Sequence, residues 1–243
     1  MDVEARQVEA GRGGAWLVAG WQLFLQAPAP WIVMTIIYLA IGVVLSLIPF
    51  IGTLANTLIT PALMGGMLYG AAMLTQGGRL EIAHLFCAFQ DQRRLGPMLT
   101  LGALLVGAFF ITLLLVAGLA GGTLLSSDYL AGMNENRMTG MLFGMGTVAI
   151  LFILLVMLVI SMALFYAVPL VMLAGREPWQ SLQDSVVVCS ANFLPLSVFG
   201  LVYVVLAVLA TLPLGLGFLV LIPVTFGAIY ASYRDVFPGL GAV

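Results

Sequence analysis

Long apolar stretches, broken by short polar or glycine- and proline-rich segments, dominate the pattern of this chain. Residues 13–78, 95–127, 138–175 and 185–233 contain no Asp, Glu, Lys or Arg. Each stretch exceeds the roughly 20 apolar residues that cross a hydrocarbon core of about 30 Å. Breaks in the apolar pattern divide the stretches into six predicted membrane-spanning helices. These are Trp31–Leu47, Leu54–Leu74, Met98–Leu125, Met141–Leu173, Leu194–Ala210 and Leu216–Ser232.

A repeated mark precedes each pair of predicted spans. The dipeptide Gly-Arg ends at Arg12, Arg79 and Arg176, and a proline follows each arginine after 18, 18 and 19 residues. The residues between arginine and proline have the spacing of a short amphipathic helix. Tandem units that all enter a membrane from one side are typical of parallel repeats. We call the three segments the first, second and third leader; they are residues 13–29, 80–96 and 177–194.

The sequence therefore predicts an all-α, polytopic membrane protein. Its six transmembrane helices form three hairpins, each preceded by an amphipathic interfacial helix on the cytoplasmic side. Trp16, Trp21 and Trp179 are expected to lie at the level of the lipid headgroups. The whole chain, residues 1–243, forms a single integral membrane domain. Its internal units are approximately 11–77, 78–174 and 175–243.

Composition and charge place the protein in lipid and orient it. Hydrophobic residues make up 63% of the chain and charged residues 7%, whereas about 25% of the residues in a soluble globular protein are charged. Every basic residue is arginine, and only Arg137 falls on the outer side of a six-span topology. This positive-inside bias predicts a multi-pass membrane protein with both termini in the cytoplasm. A net charge of −2 gives no basic patch for nucleic acid.

Arginines at the cytoplasmic ends of the predicted spans are the first candidate functional residues. Their simplest role is to determine topology, and the alternative role is to bind the headgroups of anionic lipids. The outer loop, residues 126–140, is a further candidate as a binding site for an outer partner. The arginine group comprises Arg12, Arg79, Arg93, Arg94, Arg176 and Arg234.

Two polar features are the remaining candidates. Asn56 lies inside the second predicted span, where a hydrogen bond to a neighbouring helix is the simpler interpretation and substrate contact the alternative. Glu81, His84 and Asp91 form a polar cluster on one stripe of the second leader. A Glu-x-x-His pair can bind metal in helical bundles, but such sites need a second pair and further carboxylates. A surface histidine beside a carboxylate is therefore the simpler interpretation.

No catalytic residue, cofactor or metal site is assigned from the sequence. The chain has no zinc-binding histidine pair, nucleotide-binding glycine loop or nucleophile elbow. Charged residues at mid-membrane depth, which mark proton relays and ion-coupled carriers, are missing from the predicted spans. Cys87 and Cys189 both fall on the cytoplasmic side, where thiols stay reduced. They are expected to be small buried residues rather than a disulfide or a metal site.

Three strings of the chain carry a resemblance: Thr60–Met67, Glu81–Phe86 and Phe226–Asp235. They resemble a family of proteobacterial inner-membrane proteins that is known only by a locus tag. The resemblance implies a six-helix inner-membrane protein without an established activity, so no catalytic residue is carried over. More loosely, the amphipathic segment ending in Ala191-Asn192 is similar to other bacterial membrane domains, including the membrane portion attached to some glycerophosphodiesterases.

These features favour a non-catalytic scaffold or accessory subunit. Its expected partners are membrane lipids, another membrane protein or a second copy of the chain, engaged through the leaders. The alternative is a small transporter or channel for an apolar or amphiphilic cargo. A third interpretation is an intramembrane lipid-modifying enzyme that uses Glu81, His84 and Asp91. A continuous polar cavity would favour transport, whereas a filled core would favour a lipid or partner role.

Overall fold

The computed structural model describes residues 5–124 and 135–240, and every regular element in these ranges is helical. The described part contains nine α-helices and one short 3-10 helix, Ile82–Phe86. The predicted outer loop lies largely outside the described residues. The α-helices are α1 (Arg12–Gln26), α2 (Pro28–Ser46), α3 (Ile51–Thr75), α4 (Cys87–Gln90), α5 (Gln92–Leu124), α6 (Glu135–Ala174), α7 (Pro178–Ala191), α8 (Phe193–Thr211) and α9 (Phe218–Val236).

Five of these helices are long and apolar enough to cross a membrane. They are α2, α3, α8 and the segments Gln92–Gly118 of α5 and Gly146–Ala174 of α6. These five helices coincide with the first five predicted spans and indicate a membrane protein. The all-helical class is thus confirmed. The sixth predicted span corresponds to α9, which carries Arg234 and Asp235 in its last turn and is not among the five.

The described residues divide into two compact units. Unit 1 holds the residues up to Ala103 together with those from Met162 onward, and unit 2 is Leu104–Ser161. Unit 2 therefore consists of the second half of α5 and most of α6. The three internal units predicted from the repeat follow a different division, based on sequence spacing, and stay a prediction.

The core of unit 1 forms where α1 packs against α9. The buried face of α1 carries Trp16, Leu17, Leu23 and Phe24. Trp16 is only 1% exposed, so its ring packs in the core of unit 1, while its expected position at the headgroup level stays a prediction. An aromatic side chain buries roughly 150–250 Å² of surface, so residues such as Trp16 contribute more to the stability of a core than smaller side chains do.

A close approach of backbones fixes the crossing of α1 and α9. A Cβ at Gly20 would overlap the carbonyl oxygen of Val224 and would lie 2.7 Å from the nitrogen of Ala228. A Cβ at Gly227 would lie 2.8 Å from the Cα of Gly20. The start of α1 lies beside the end of α9, because Arg12 contacts Asp235 there. The two helices are therefore antiparallel, and their contact requires glycine on both sides.

The three leaders differ in form but end alike. The first and third are the single helices α1 and α7, whereas the second begins with the 3-10 helix and continues as α4. The second leader is thus not the single amphipathic helix that was expected. In each leader, one residue separates its last helix from the following long helix: Ala27, Asp91 and Asn192.

The second and third leaders each pack against the long helix before them in the sequence, and the first leader packs against the last helix. In the second leader, the carbonyl of Leu85 lies against Gly66 of α3. In the third leader, the hydroxyl of Ser185 donates to the carbonyl of Met162 in α6 at 2.6 Å. The first leader packs on α9 through Gly20. The first leader therefore closes unit 1 by connecting the start of the chain to its last helix.

Ser185 also enters the hydrogen-bond ladder of α6. Its hydroxyl accepts from the backbone N–H of Tyr166 at 3.0 Å while donating to Met162, four residues earlier. A side chain placed between these two groups replaces the ordinary i to i−4 bond of the helix. The phenol of Tyr166 lies 2.6 Å from the hydroxyl of Ser232 in α9. These contacts join α6, α7 and α9 through polar groups that are all paired.

Substitution of Gly20 by alanine is expected to destabilise the protein, because the new methyl group overlaps the backbone of α9. The matched control is Gly14→Ala in the same helix, where a Cβ meets nothing within 4 Å. Alanine is favoured over glycine inside a helix by about 1 kcal/mol, so the control is expected to be neutral or stabilising. The thermal unfolding midpoint in detergent should fall by at least ~4 °C for Gly20→Ala only. Equal midpoints for the two variants would contradict the close α1–α9 contact.

Candidate functional site

A buried carboxylate, Asp235, lies near the end of α9 and collects donors from the start of the chain. Its side chain is 5% exposed. Arg12 Nε donates to its Oδ2 at 2.6 Å, and Trp16 Nε1 donates to the same oxygen at 3.0 Å. The Arg6 guanidinium binds Oδ1 and also donates from Nε to the backbone oxygen of Asp235 at 2.7 Å. We call these four residues the Asp235 cluster.

The pKa of Asp235 is lowered by its donors. Burial alone raises the pKa of this carboxyl, but the hydrogen bonds from Arg12, Trp16 and Arg6 outweigh burial and hold the pKa below its ordinary value. The carboxylate is therefore charged at neutral pH. A buried charge with two arginine partners costs much less than an unpaired one, so loss of either partner is expected to be destabilising.

Asn192 provides a second attachment for the N-terminal segment. It is the single residue between α7 and α8 and is 1% exposed. Its Oδ1 accepts from the backbone N–H of Val8 at 2.9 Å, and its Nδ2 donates to the carbonyl oxygens of Arg6 at 3.3 Å and Val188 at 3.1 Å. The backbone N–H of Arg6 donates to Val236 O at 3.0 Å. Residues 6–8 therefore connect the end of α9 to the α7–α8 junction.

A cleft of about 480 Å³ opens beside the Asp235 cluster, between α1 and the C-terminal ends of α3 and α9. Two arginines from the predicted group, Arg12 and Arg234, lie on its wall although they are far apart in the sequence. The cleft thus brings one end of the chain against the other. Its lining comprises Arg12, Ala19, Gln22, Leu23, Gln26, Thr75, Tyr230, Ala231, Arg234 and Asp235.

The hydroxyl of Tyr230 is the most unusual polar group of this cleft. Tyr230 is 2% exposed, and its buried hydroxyl oxygen has no hydrogen-bond partner among the described residues. Thr75 and Arg234 lie beside it, but neither completes a hydrogen bond of normal geometry. The Thr75 hydroxyl donates instead to Ala71 O at 2.9 Å. A buried hydroxyl without a partner is costly, because desolvation is not compensated.

The other predicted arginines have different surroundings. Arg176 forms an ion pair with Asp184 at 2.8 Å. Arg94 pairs with Asp91 at 3.4 Å and lies over the ring of Tyr69, 5.1 Å from its centroid. A second cleft is lined by both Arg6 and Asp184. It therefore lies between the Arg176 ion pair and the Asp235 cluster. The remaining two, Arg79 and Arg93, are exposed.

The polar cluster of the second leader has a structural role. Glu81 and His84 form a capping box at the start of the 3-10 helix, in which each side chain accepts from the backbone N–H of the other residue. The His84 Nδ1 acceptor lies 3.2 Å from the Glu81 nitrogen. Asp91 caps α5 by accepting from the backbone N–H of Arg93 at 2.9 Å. Within the described ranges, no three His, Cys, Asp or Glu side chains are grouped to hold a metal ion.

Asn56 lies where α3 faces α2. A Cβ at Gly42 of α2 would be 3.9 Å from the Asn56 side-chain oxygen. Its backbone oxygen accepts from the hydroxyl of Thr60 at 2.6 Å. This position at a helix–helix contact favours the interpretation that Asn56 supports packing between two neighbouring helices.

The two thiols are poorly reactive by their surroundings. Cys189 is buried and Cys87 half-buried, and both are free. Burial raises the pKa of Cys87 to about 11 and that of Cys189 to about 12. The Cys189 thiol contacts Met162 O at 3.4 Å. Both cysteines therefore remain protonated at physiological pH, as expected for packing residues.

The sequence did not reveal Asp235 or Tyr230 as members of a site. Both stand at the end of an apolar stretch, where charge and aromatic residues were explained by membrane topology. The one available signal was the pair Gln22 and Gln26, four residues apart on one face of a helix otherwise rich in apolar residues. That pattern gives no indication of which distant helix receives them, and Trp16 was assigned to the headgroups rather than to Asp235.

Comparison of the chain with protein-family models, with curated proteins and with solved structures finds no match.

Substitution of Asp235 by asparagine is expected to lower the thermal unfolding midpoint at pH 7, since Arg6 and Arg12 lose their partner; charged hydrogen bonds contribute about 1.5–3 kcal/mol each. The pKa of Asp235 is lower in the folded protein than in the unfolded chain, where it is about 3.9. The stabilisation is therefore fully present above about pH 3.9 and is lost as the pH falls through the pKa of the folded state. The difference between wild type and Asp235→Asn should therefore shrink from pH 7 to pH 3. A difference that stays constant over this range would contradict a charged Asp235.

Proposed function

We propose that α9 is a sixth membrane span and that the six spans form three hairpins, with the arginine-bearing end facing the cytoplasm of a bacterial cell. The 19 residues of α9 extend for about 28 Å at 1.5 Å per residue, close to the thickness of a hydrocarbon core. Its only charged residues, Arg234 and Asp235, lie in the last turn. This placement supports a crossing that ends at the cytoplasmic surface.

The packing of the leaders supports the threefold repeat. The contacting residues Gly20, Leu85 and Ser185 stand 8, 6 and 9 residues after the repeated arginines. The helix positions that receive them, Gly227, Gly66 and Met162, stand three or four residues before a tyrosine. Similar positions thus meet in all three units, with the first leader on the last hairpin. Agreement of contacts and spacing is what internal repetition predicts.

The function that this arrangement supports best is a non-catalytic membrane scaffold or accessory subunit that engages anionic lipid at its arginine-bearing end. The observation that carries this conclusion is the meeting of Arg12 and Arg234 in one cleft, together with Gln22 and Gln26. Arginines at a cytoplasmic membrane surface attract anionic lipids by about 1 kcal/mol each. Another membrane protein or a second copy of the chain would engage the exposed apolar faces of the same helices.

The interior of unit 1 supports this function over transport. Its buried cluster holds apolar and aromatic side chains from every helix of the unit, with the largest shares from α1, α3, α6 and α9. The buried polar side chains of Thr35, Ser181, Ser185, Asn192 and Ser232 all have hydrogen-bond partners within unit 1. A filled core of this kind holds few polar groups for a solute to use.

The lipid-modifying enzyme receives no support from the second leader. Glu81 and His84 are occupied by the capping box, and Asp91 by the N-terminus of α5 and by Arg94. A general base must reach the proton that it abstracts, whereas the His84 nitrogen Nδ1 accepts from a backbone N–H. Packing and capping explain these three residues.

The proposal is tested by replacing three exposed arginines that form no ion pair with a described residue, Arg79, Arg93 and Arg234, by glutamine. Protein is extracted into nanodiscs that contain equal amounts of phosphatidylglycerol and phosphatidylcholine, and bound lipids are identified by native mass spectrometry. We expect the triple variant to reduce the ratio of bound phosphatidylglycerol to phosphatidylcholine by at least ~5-fold, since each arginine contributes about 1 kcal/mol.

The matched control is Arg137→Gln, which removes the arginine that the sequence places on the outer side. It should leave the ratio unchanged. An unchanged ratio in the triple variant, or solute flux through reconstituted vesicles, would contradict the scaffold proposal and favour transport.

A further inference from the structure

The cleft beside Asp235 is lined by two guanidinium groups, those of Arg12 and Arg234, and by one carboxylate. Arg12 uses Nε for Asp235, which leaves its two terminal nitrogens for other partners. Arg234 is exposed and forms no ion pair with any described residue. The single carboxylate of the cleft, Asp235, already accepts from Arg6, Arg12 and Trp16. The site therefore has unused donors and a positive charge that its own acceptors do not neutralise.

The unpaired hydroxyl of Tyr230 points to the same kind of ligand. Among the tyrosines that stand near the end of α3, α6 and α9, Tyr166 is bonded to Ser232 and Tyr69 is covered by Arg94. Tyr230 lines the cleft with its hydroxyl buried and without a partner. A second buried hydroxyl without a partner, that of Tyr233, does not line this cleft. Of these two hydroxyls, only that of Tyr230 belongs to a residue that lines the cleft.

We propose that the cleft binds the phosphate group of an anionic membrane phospholipid, an inference that rests on the lipid-engaging function proposed above. Phosphate oxygens accept several charged hydrogen bonds at once, and arginine is well suited to them by its fork of donors. Arg12, Arg234 and Tyr230 supply donors to the phosphate, and Gln22 and Gln26 supply amides to the remainder of the headgroup.

The apolar surface next to the cleft favours a lipid over free phosphate as the ligand. Val18, Trp21 and Leu25 are exposed on the stripe of α1 that adjoins the stripe of Gln22 and Gln26. An exposed apolar stripe beside a cationic cleft matches a headgroup joined to acyl chains. A tryptophan at such a boundary is typical of the headgroup level of a membrane.

The charge of the cleft also selects among headgroups. Arg12 and Arg234 face the cleft with one carboxylate, Asp235, whose charge is further compensated by Arg6. The quaternary ammonium of a zwitterionic lipid would be placed beside these guanidinium groups. Like charges at close range are repelled, so phosphatidylglycerol is expected to bind more tightly than phosphatidylcholine.

The experiment uses the full chain purified in a neutral detergent and titrated with dioctanoyl phosphatidylglycerol, dioctanoyl phosphatidylcholine or inorganic phosphate. The readout is the thermal unfolding midpoint at each concentration. The test variants are Tyr230→Phe and Arg234→Gln, and the matched controls are Tyr233→Phe and Arg137→Gln. Tyr230→Phe removes an unpaired hydroxyl, so the midpoint without added lipid should not fall.

We expect phosphatidylglycerol to raise the midpoint of wild type and of both controls, with phosphatidylcholine and inorganic phosphate weaker by at least ~10-fold in half-maximal concentration. In Tyr230→Phe and Arg234→Gln the half-maximal concentration should rise by about 10-fold or more, as for the loss of one charged hydrogen bond. Equal titrations in the test variants and controls would overturn the cleft assignment. An equal response to inorganic phosphate would overturn the lipid as its source.

Failure of this inference is separable from failure of the proposed function. If the triple arginine variant loses its phosphatidylglycerol preference while Tyr230→Phe titrates like wild type, anionic lipids bind at this end but not in the cleft. If wild type shows no preference for phosphatidylglycerol in either experiment, the proposed function fails as well.

Discussion

The burial of one carboxylate at the end of the last helix is the constraint on which the rest of unit 1 depends. Asp235 is stable in that position only because Arg6, Arg12 and Trp16 reach it from the other end of the chain. A buried charge without these partners would cost several kcal/mol. The N-terminal segment is therefore held against α9 by electrostatics as well as by the packing of α1, and the two distant parts of the sequence are neighbours.

Several features follow from that attachment. With Arg12 fixed at Asp235, α1 runs antiparallel to α9, and the contact between Gly20 and Gly227 allows the two backbones to approach closely. The same orientation places the polar stripe of α1 beside Arg234 and forms the cleft. Asp235 thus has a structural role, and the cleft beside it contains unused donors of Arg12 and Arg234. One electrostatic contact explains both the closure of the fold and the position of the candidate site.

The sequence pattern was sufficient to predict the long helices but not the contacts between them. Apolar length predicted α2, α3, α5, α6 and α8, since a span needs only enough consecutive apolar residues. The second leader was predicted as one helix, but the capping box of Glu81 and His84 starts a 3-10 turn there instead. Arginines at helix ends were recognised by topology, whereas their partners were not. The pairing of Arg12 with Asp235 depends on two residues 223 positions apart, and no local period contains that information.

A double-mutant cycle between Arg12 and Asp235 tests this account most directly. The thermal unfolding midpoints of wild type, Arg12→Gln, Asp235→Asn and the double variant are measured in the same detergent at pH 7. If the two residues stabilise the fold through each other, the double variant should be about as stable as Asp235→Asn alone, with a coupling energy of about 1–3 kcal/mol. Strictly additive losses would contradict the account, because each residue would then act independently of the other.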